Sequence, residues 1–277
     1  MQTDDSFRLH SVAIVGLGLI GGSLARDLAA RGIRVYGWDR DDWTIRKAVT
    51  RGIVAGTWDA QPVDAVVLAV PVLEAPRLTR WLLDRVDGVG LVTDVGSTKR
   101  SIVARAEQLG FGDRFVGSHP LAGDHRSGWD ASRAGLFDGA RVFLCPAPST
   151  SDEAMRMARE LWTMAGGRPE VVDAEEHDRH LAWISHLPQA VSSTLARVLE
   201  GQGIARGELG PGGRDVTRLA GSSPEMWADI AIDNADALLP ALEAMEAELR
   251  ALRDALTAAD RDRLRALFAA AREWHGE

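Results

Sequence analysis

Cysteine is nearly absent from this chain: Cys145 is the only one among 277 residues, which excludes an intrachain disulfide framework. Its setting in Arg141-Val142-Phe143-Leu144-Cys145 reads as a buried strand residue and not as a nucleophile. Lysine is almost as scarce. It occurs only at Lys47 and Lys99, so arginine supplies nearly all of the 32 basic side chains; the bias is one of composition, but it singles out Lys99. The 40 acidic residues outweigh the bases and leave a formal net charge of −8, so the basic surplus of a nucleic-acid partner is missing. No apolar run approaches the length of a membrane span, and Met1-Gln2-Thr3-Asp4-Asp5 lacks the basic start of a secretory signal, so the expected location is the cytoplasm. What is present is a chain 45% hydrophobic and 26% charged, long enough for two ordinary domains with a core each.

The most informative stretch is Gly16-Leu17-Gly18-Leu19-Ile20-Gly21, which follows the apolar run Val12-Ala13-Ile14-Val15 and leads into a helical pattern from Ser23 to Ala30. In a strand-turn-helix of this kind Gly16 allows the tight turn, Gly18 lets the backbone approach a pyrophosphate, and Gly21 lets helix and strand pack closely. Leu19 and Ile20 then open the helix whose N-terminus faces the anion. A second strand, Ile33-Arg34-Val35-Tyr36-Gly37-Trp38, ends at Asp39, where a carboxylate can accept hydrogen bonds from the adenosine ribose hydroxyls. This register of glycines and acid predicts a nicotinamide dinucleotide site. Asp39 repels a 2′-phosphate and favours NAD; the adjacent Arg40 leaves NADP open.

The first half continues as alternating strands and helices. Strands are predicted at Asp64 to Val70, Gly90 to Asp94, Phe115 to Ser118, Ala140 to Cys145 and Pro169 to Asp173, with helices near residues 42–50, 73–84 and 98–109. That alternation implies a Rossmann-type α/β fold with a doubly wound, mostly parallel sheet. From Ala174 the composition turns to Ala, Leu, Glu and Arg at helical spacing, as in Leu238, Leu242, Met245, Leu249 and Leu252. The expected organisation is a dinucleotide-binding domain over residues 1–173 and an all-α domain over residues 174–277.

Candidate chemistry clusters where such a sheet places its ligands, at the carboxyl ends of its strands. One strand runs into Asp94-Val95-Gly96-Ser97-Thr98-Lys99 and the next into Gly117-Ser118-His119-Pro120, so Ser97 and His119 are expected on neighbouring loops. A histidine that titrates near neutrality can take a proton from a hydroxyl, and a serine can hold both partners. The competing readings are a structural loop histidine for His119 and a simple helix cap for Ser97. In the helical half, His177 and His180 stand one turn apart without a clear companion set of acids or thiolates, which argues against a metal site. Gly212-Gly213-Arg214-Asp215-Val216-Thr217-Arg218 presents two arginines suited to carboxylates; the alternative is a solvated pair with Asp215.

In these segments, residues 16–22, 94–99, 119–123, 177–188 and 212–227 in that order, the chain resembles the prephenate dehydrogenase family, which includes arogenate and cyclohexadienyl dehydrogenases. The resemblance spans roughly residues 10–235. It implies oxidative decarboxylation of prephenate to 4-hydroxyphenylpyruvate, or of arogenate to tyrosine, with NAD or NADP, in tyrosine biosynthesis. Carried to matching positions, it implies His119 as the catalytic histidine, Ser97 as its hydroxyl partner, Arg218 as the arginine on a substrate carboxylate, and Ser185 and His186 in the substrate pocket. It also implies a homodimer intertwined through the helical domains.

Two departures bear on the substrate. Gln189 stands after Leu187-Pro188 where many relatives carry a second histidine, so that pocket position offers a hydrogen bond without a positive charge. Some prephenate-using relatives carry a glutamate where this chain has His125, preceded by Asp124; a carboxylate facing inward would favour the ammonium of arogenate, and its absence favours prephenate. A β-hydroxyacid dehydrogenase of the same two-domain plan would need a lysine on its helical domain, where this chain has none. A nucleotide-binding protein without catalysis would not need Ser97, His119 and Arg218 together.

Overall fold

The computed structural model describes residues 9–124 and 126–276. Its first half runs β1 (Ser11–Val15), α1 (Leu19–Ala30), β2 (Arg34–Trp38), α2 (Asp42–Thr50), β3 (Gly56–Thr57), β4 (Ala65–Leu68), α3 (Ala75–Leu82), β5 (Leu91–Asp94), α4 (Arg100–Gln108), β6 (Phe115–Pro120), β7 (Arg141–Pro146), α5 (Asp152–Met164) and β8 (Arg168–Val171). The eight strands form one sheet in the order β3-β2-β1-β4-β5-β6-β7-β8, and every neighbouring pair is parallel except β6 with β7. The chain therefore winds outward in both directions from β1 and β4, which makes their carboxyl ends the crevice for a ligand.

All residues of β4, β5 and β6 are buried, as strands covered on both faces must be. One face packs Leu24 and Leu28 of α1 with Leu161 and Trp162 of α5; the other packs Leu82 of α3 and Ile102 of α4 with Phe111 and Phe115. Removing one such side chain from water is worth about 1.5–3 kcal/mol. Caps set the helix starts: Asp41 accepts from Trp43 N–H, and Ser151 accepts from Ala154 N–H.

Two elements differ from expectation. The strand carrying Ser118 does not stop there: antiparallel pairing with β7 aligns His119 with Phe143 and Pro120 with Val142, so His119 lies within β6 and not on a loop. The two-residue β3 was not anticipated, since Gly56-Thr57 carries no pattern of its own and pairs only through its register with Tyr36 and Gly37.

Helices follow: α6 (Ala174–Leu181), α7 (Leu187–Gly201), α8 (Pro211–Val216), α9 (Pro224–Asp233), α10 (Ala235–Thr257) and α11 (Arg261–His275). Asp173 caps α6 by accepting from the N–H groups of Glu175 and Glu176. Between α6 and α7 the backbone widens into a π turn, Ala182–His186. Pro188, in the first turn of α7, lacks the N–H that would bond back and its ring crowds the preceding carbonyl, which favours the wider turn there. The helical half is thinly packed. No residue of α11 is buried, and Leu239, Leu249, Leu256 and Phe268 are all more than half exposed. Among the described residues no helix is long and apolar enough to cross a membrane.

Candidate active site

The three glycines of the first turn meet three different environments. Gly16 has φ of +96° and donates its N–H to Trp38 O at 2.7 Å; a Cβ there would lie 2.2 Å from the carbonyl oxygen of Ala69. A Cβ on Gly21 would lie 2.0 Å from Gly16 O, so α1 sits on the turn only because that atom is missing. A Cβ on Gly18 would meet nothing within 4 Å among the described residues. Space is thus kept open at the start of α1, where Gly18 is the cap residue without a side chain to occupy the first-turn N–H groups. Half-buried Asp39 is locked beside this turn, its Oδ2 accepting from Leu17 N–H at 2.7 Å and its Oδ1 from Asp41 N–H at 2.9 Å, while Arg40 is exposed. A dinucleotide fits these features: a cradle a side chain would fill, an uncapped helix start, and an oriented carboxylate one strand away.

At the end of β5, Asp94 organises the neighbouring loop. Its Oδ1 accepts from Ser118 N–H at 3.1 Å, and its Oδ2 accepts from Gly96 N–H at 2.7 Å and pairs with Lys99 Nζ. Both side chains of the ion pair are essentially fully buried, so Lys99 ties the loop of Ser97 against β6. Ser97 itself is half-buried, forms no side-chain hydrogen bond among the described residues, and does not cap α4. That task falls to Asp178 of α6, whose carboxylate accepts from the N–H groups of Lys99 at 2.8 Å and Arg100 at 3.0 Å. The hydroxyl of Ser97 is not within hydrogen bonding of His119, whose Nδ1 meets His177 Nε2 at 2.9 Å. His177 Nδ1 in turn meets Asp178 Oδ1 at 2.8 Å. Burial depresses the basicity of His119 well below the ordinary histidine range, reinforced by His177, Lys99 and His186 nearby. Burial lowers His177 too, against the opposing pull of Asp178.

The helical half closes the other side. His186, in the π turn, is buried and pushed down to about 4, chiefly by desolvation, so it is neutral. Asn234 donates its Nδ2 to His186 Nδ1 at 3.1 Å and to Asp178 O at 2.8 Å, which leaves the proton of His186 on Nε2, an atom without a partner. Gln189 donates to Leu219 O and Ser193 Oγ, and its Oε1 is likewise buried and unpartnered. Ser185 is half-buried in the same turn. Arg218 begins a short 3₁₀ turn on α7, is exposed, and lines a cavity of about 1150 Å³ shared with Gly123 and Asp124, which follow β6. Neither Arg214 nor Arg218 forms an ion pair with Asp215 among the described residues; Arg214 donates to Gly207 O instead. Asp124 is engaged by Arg126 and Arg133, and His125 lies outside the described residues.

The structure thus joins His119 to residues that spacing had grouped otherwise. His177 is buried while His180 is exposed, so the two do not share a face, and it is the adjacent Asp178 that matters. The readable signal was a His-Asp pair at the buried positions of an amphipathic helix, but its partner lies 58 residues earlier.

The family model described as prephenate dehydrogenase, nucleotide-binding domain, matches residues 24–171, and that described as prephenate dehydrogenase, dimerization domain, matches residues 173–270. The chain belongs to the prephenate dehydrogenase family. It is 34% identical to a cyclohexadienyl dehydrogenase of Zymomonas mobilis over 91% of this chain and 90% of that one. A crystal structure of prephenate dehydrogenase from Aquifex aeolicus in complex with hydroxyphenyl propionate and NAD+ superposes with a TM-score of 0.89 at 31% identity, covering 98% of this chain and 99% of that one. A Synechocystis arogenate dehydrogenase structure superposes with a TM-score of 0.80 at 31% identity, covering 96% and 99%. As a member of the prephenate dehydrogenase family, the chain is an NAD-dependent oxidoreductase whose nucleotide-binding half carries the sheet.

Proposed function

We propose that this enzyme oxidatively decarboxylates prephenate to 4-hydroxyphenylpyruvate with hydride transfer to NAD, a step of tyrosine biosynthesis. The observation that carries the proposal is His119: a buried histidine of β6, bonded to His177 of α6 and uncharged at neutral pH because burial depresses its basicity. NAD in the glycine turn before α1 supplies the hydride acceptor. The first turn of α1 would hold its pyrophosphate, with the room that Gly18 leaves, and Asp39 would accept from the adenosine ribose hydroxyls while disfavouring a 2′-phosphate. His119 takes the proton of the ring hydroxyl as the hydride leaves the same carbon, giving a carbonyl; the ring carboxylate then departs as CO2, its bonding electrons aromatise the ring and pass to that oxygen, and the oxygen takes a proton back to give the phenol. Ser97, half-buried and without a side-chain hydrogen bond among the described residues, steadies that hydroxyl. Arg218 binds a substrate carboxylate, and Ser185, His186 and Gln189 line the pocket, with His186 Nε2 and Gln189 Oε1 as a buried donor and acceptor that lack partners within the protein.

Prephenate is favoured over arogenate by the state of Asp124. Its Oδ1 accepts from the N–H and Nε of Arg126, and its Oδ2 from Arg126 Nη2 and Arg133 Nη1 at 3.0 Å each. A carboxylate paired with two guanidinium groups has little field left for an ammonium ion. We further take residues 1–173 as the dinucleotide-binding domain and residues 174–277 as the substrate and dimerisation domain. The exposed apolar side chains of α10 and α11 support a homodimer in which a second copy covers them. We place the enzyme in the cytoplasm, where prephenate and NAD meet. Formation of NADH is followed with prephenate or arogenate, each with NAD or NADP: prephenate with NAD is expected to give the highest kcat/KM. A higher value with arogenate would replace the substrate, and no turnover with either would overturn the function.

A further inference from the structure

The hydrogen bonds behind His119 fix which of its two nitrogens faces the reaction. Asp178 Oδ1 accepts from Lys99 N–H at 2.8 Å, and Oδ2 accepts from Arg100 N–H at 3.0 Å and Arg100 Nε at 3.2 Å. Burial raises the pKa of this carboxyl, but the bonds from His177 and from the two backbone N–H groups outweigh it and hold Asp178 ionised. An ionised carboxylate only accepts, so His177 Nδ1, 2.8 Å away, must carry a proton and donate it. A neutral His177 then has a bare Nε2, which accepts from His119 Nδ1 at 2.9 Å. His119 Nε2 is left without a proton. The rings are further fixed by edge-to-face packing, His119 on His177 and Phe143 on His177, with centroids 5.1 and 5.3 Å apart.

We propose that Asp178, acting through His177, is a positioning residue that holds His119 in the tautomer whose Nε2 accepts the substrate proton and that offsets the positive charge arriving there. The proposal rests on His119 as the base. It extends the site across the two halves of the molecule, since Asp178 belongs to α6 and His119 to β6. The groups facing this chain of side chains are Lys99 from the loop after β5 and its partner Asp94 at the end of β5, Arg100 from α4, and His186 from the π turn. His177, Lys99 and His186 oppose a charged His119; Asp94 pairs with Lys99, and Asp178 is the carboxylate bonded to His177.

The decisive substitution is Asp178→Asn. All the groups around this carboxylate donate, and two of those at Oδ2 come from Arg100, so the new amide N–H2 turns towards Oδ1 and His177. His177 must then accept at Nδ1 and donate from Nε2, which forces the proton of His119 onto its Nε2 and blocks the base. For an analogous buried aspartate behind a catalytic histidine, the wrong tautomer costs about 10⁴ in kcat. Asp178→Asn is therefore expected to lower kcat about 10²–10⁴-fold with KM for NAD unchanged, whereas His177→Gln, whose amide oxygen still accepts from His119 Nδ1, is expected to lose only about tenfold.

The readout that a merely structural role would not move is the tautomer itself, measured by nitrogen NMR on the full-length protein labelled with ¹⁵N-histidine, with His119→Asn to assign the signal. Expected is a proton on Nδ1 in the wild type and on Nε2 in Asp178→Asn. A wild-type His119 protonated on Nε2 overturns the proposal, as does an Asp178→Asn protein with unchanged tautomer and kcat. If Asp178→Asn does not fold, the wild-type spectrum together with His177→Gln still decides. Failure of the assigned function shows separately, as a wild type that turns over no substrate whatever its tautomer.

Discussion

Gly18 and Gly21 are both glycines of one turn, yet the structure assigns them opposite consequences on substitution by alanine. At Gly21 an added Cβ would fall 2.0 Å from Gly16 O and 2.8 Å from Ala69 Cβ, and a backbone oxygen cannot swing aside as a side-chain tip can. Overpacking of this kind costs about 1–3 kcal/mol, and contact with backbone puts Gly21→Ala at or above the upper end. At about 2–4 °C per kcal/mol for a domain of this size, Tm of the ligand-free protein should fall by about 6–12 °C. At Gly18 the same atom meets nothing within 4 Å, so stability of the ligand-free protein should change by less than about 1 kcal/mol. Its effect appears only with the dinucleotide. The methyl group stands where the pyrophosphate approaches the first turn of α1, and losing one charge-assisted hydrogen bond there, about 1.5–3 kcal/mol, raises Kd for NAD about 10- to 100-fold. Thermal melts with and without NAD, combined with titration calorimetry, separate the two: Gly21→Ala melts early, and Gly18→Ala melts normally but gains little from NAD. A Gly18→Ala protein that binds NAD like the wild type would refute the placement of the pyrophosphate at this turn.

Asp39→Ser should weaken NAD and narrow or reverse the preference over NADP, measured as the ratio of kcat/KM values, because the repelling carboxylate is lost while Arg40 remains. Arg218→Ala should raise KM for prephenate by about one to two decades, from the loss of a contact worth about 1.5–3 kcal/mol, without altering KM for NAD; Arg214→Ala, whose guanidinium donates to Gly207 O, serves as the control, and an unchanged KM and kcat in Arg218→Ala would remove its assigned role. Lys99→Met leaves the buried Asp94 without its cation and should cost about 3–5 kcal/mol in denaturant melts, a loss that would be far smaller if the pair were solvated.

Much of the nucleotide half was legible because its signals are local. Alternating strands and helices, the spacing from Gly16 to Gly21 and the acid closing β2 all lie within stretches that a period or a turn defines. The ends of elements were less so: β6 reaches His119 and Pro120 because β7, some twenty residues on, pairs back against it, and nothing within Gly117-Ser118-His119-Pro120 announces that partner. The candidate site was legible as residues but not as connections. Asp178 bonds simultaneously to His177, Lys99 and Arg100, and Asn234 bridges Asp178 to His186, so the polar network is assembled from four distant segments. Helical spacing paired His177 with His180, when burial turns one inward and the other to solvent. Ser97 was expected as the hydroxyl partner of His119, but its side chain forms no hydrogen bond among the described residues, and His119 Nδ1 reaches the helical half instead.

Removal of the substrate proton by a neutral His119 is read from the dependence of kcat/KM on pH, measured with prephenate and NAD in the wild type and in His119→Asn. Because burial holds the folded-state pKa of His119 below its ordinary value of about 6.5, the neutral base is fully present above that pH and is lost as pH falls through the depressed pKa. The wild type should therefore keep its activity down to about pH 6.5 and decline only below it, while His119→Asn should lie about 10²–10⁴-fold lower in kcat with KM for NAD nearly unchanged. Near-normal turnover in His119→Asn, or an acid limb lying well above pH 6.5 in the wild type, would contradict it.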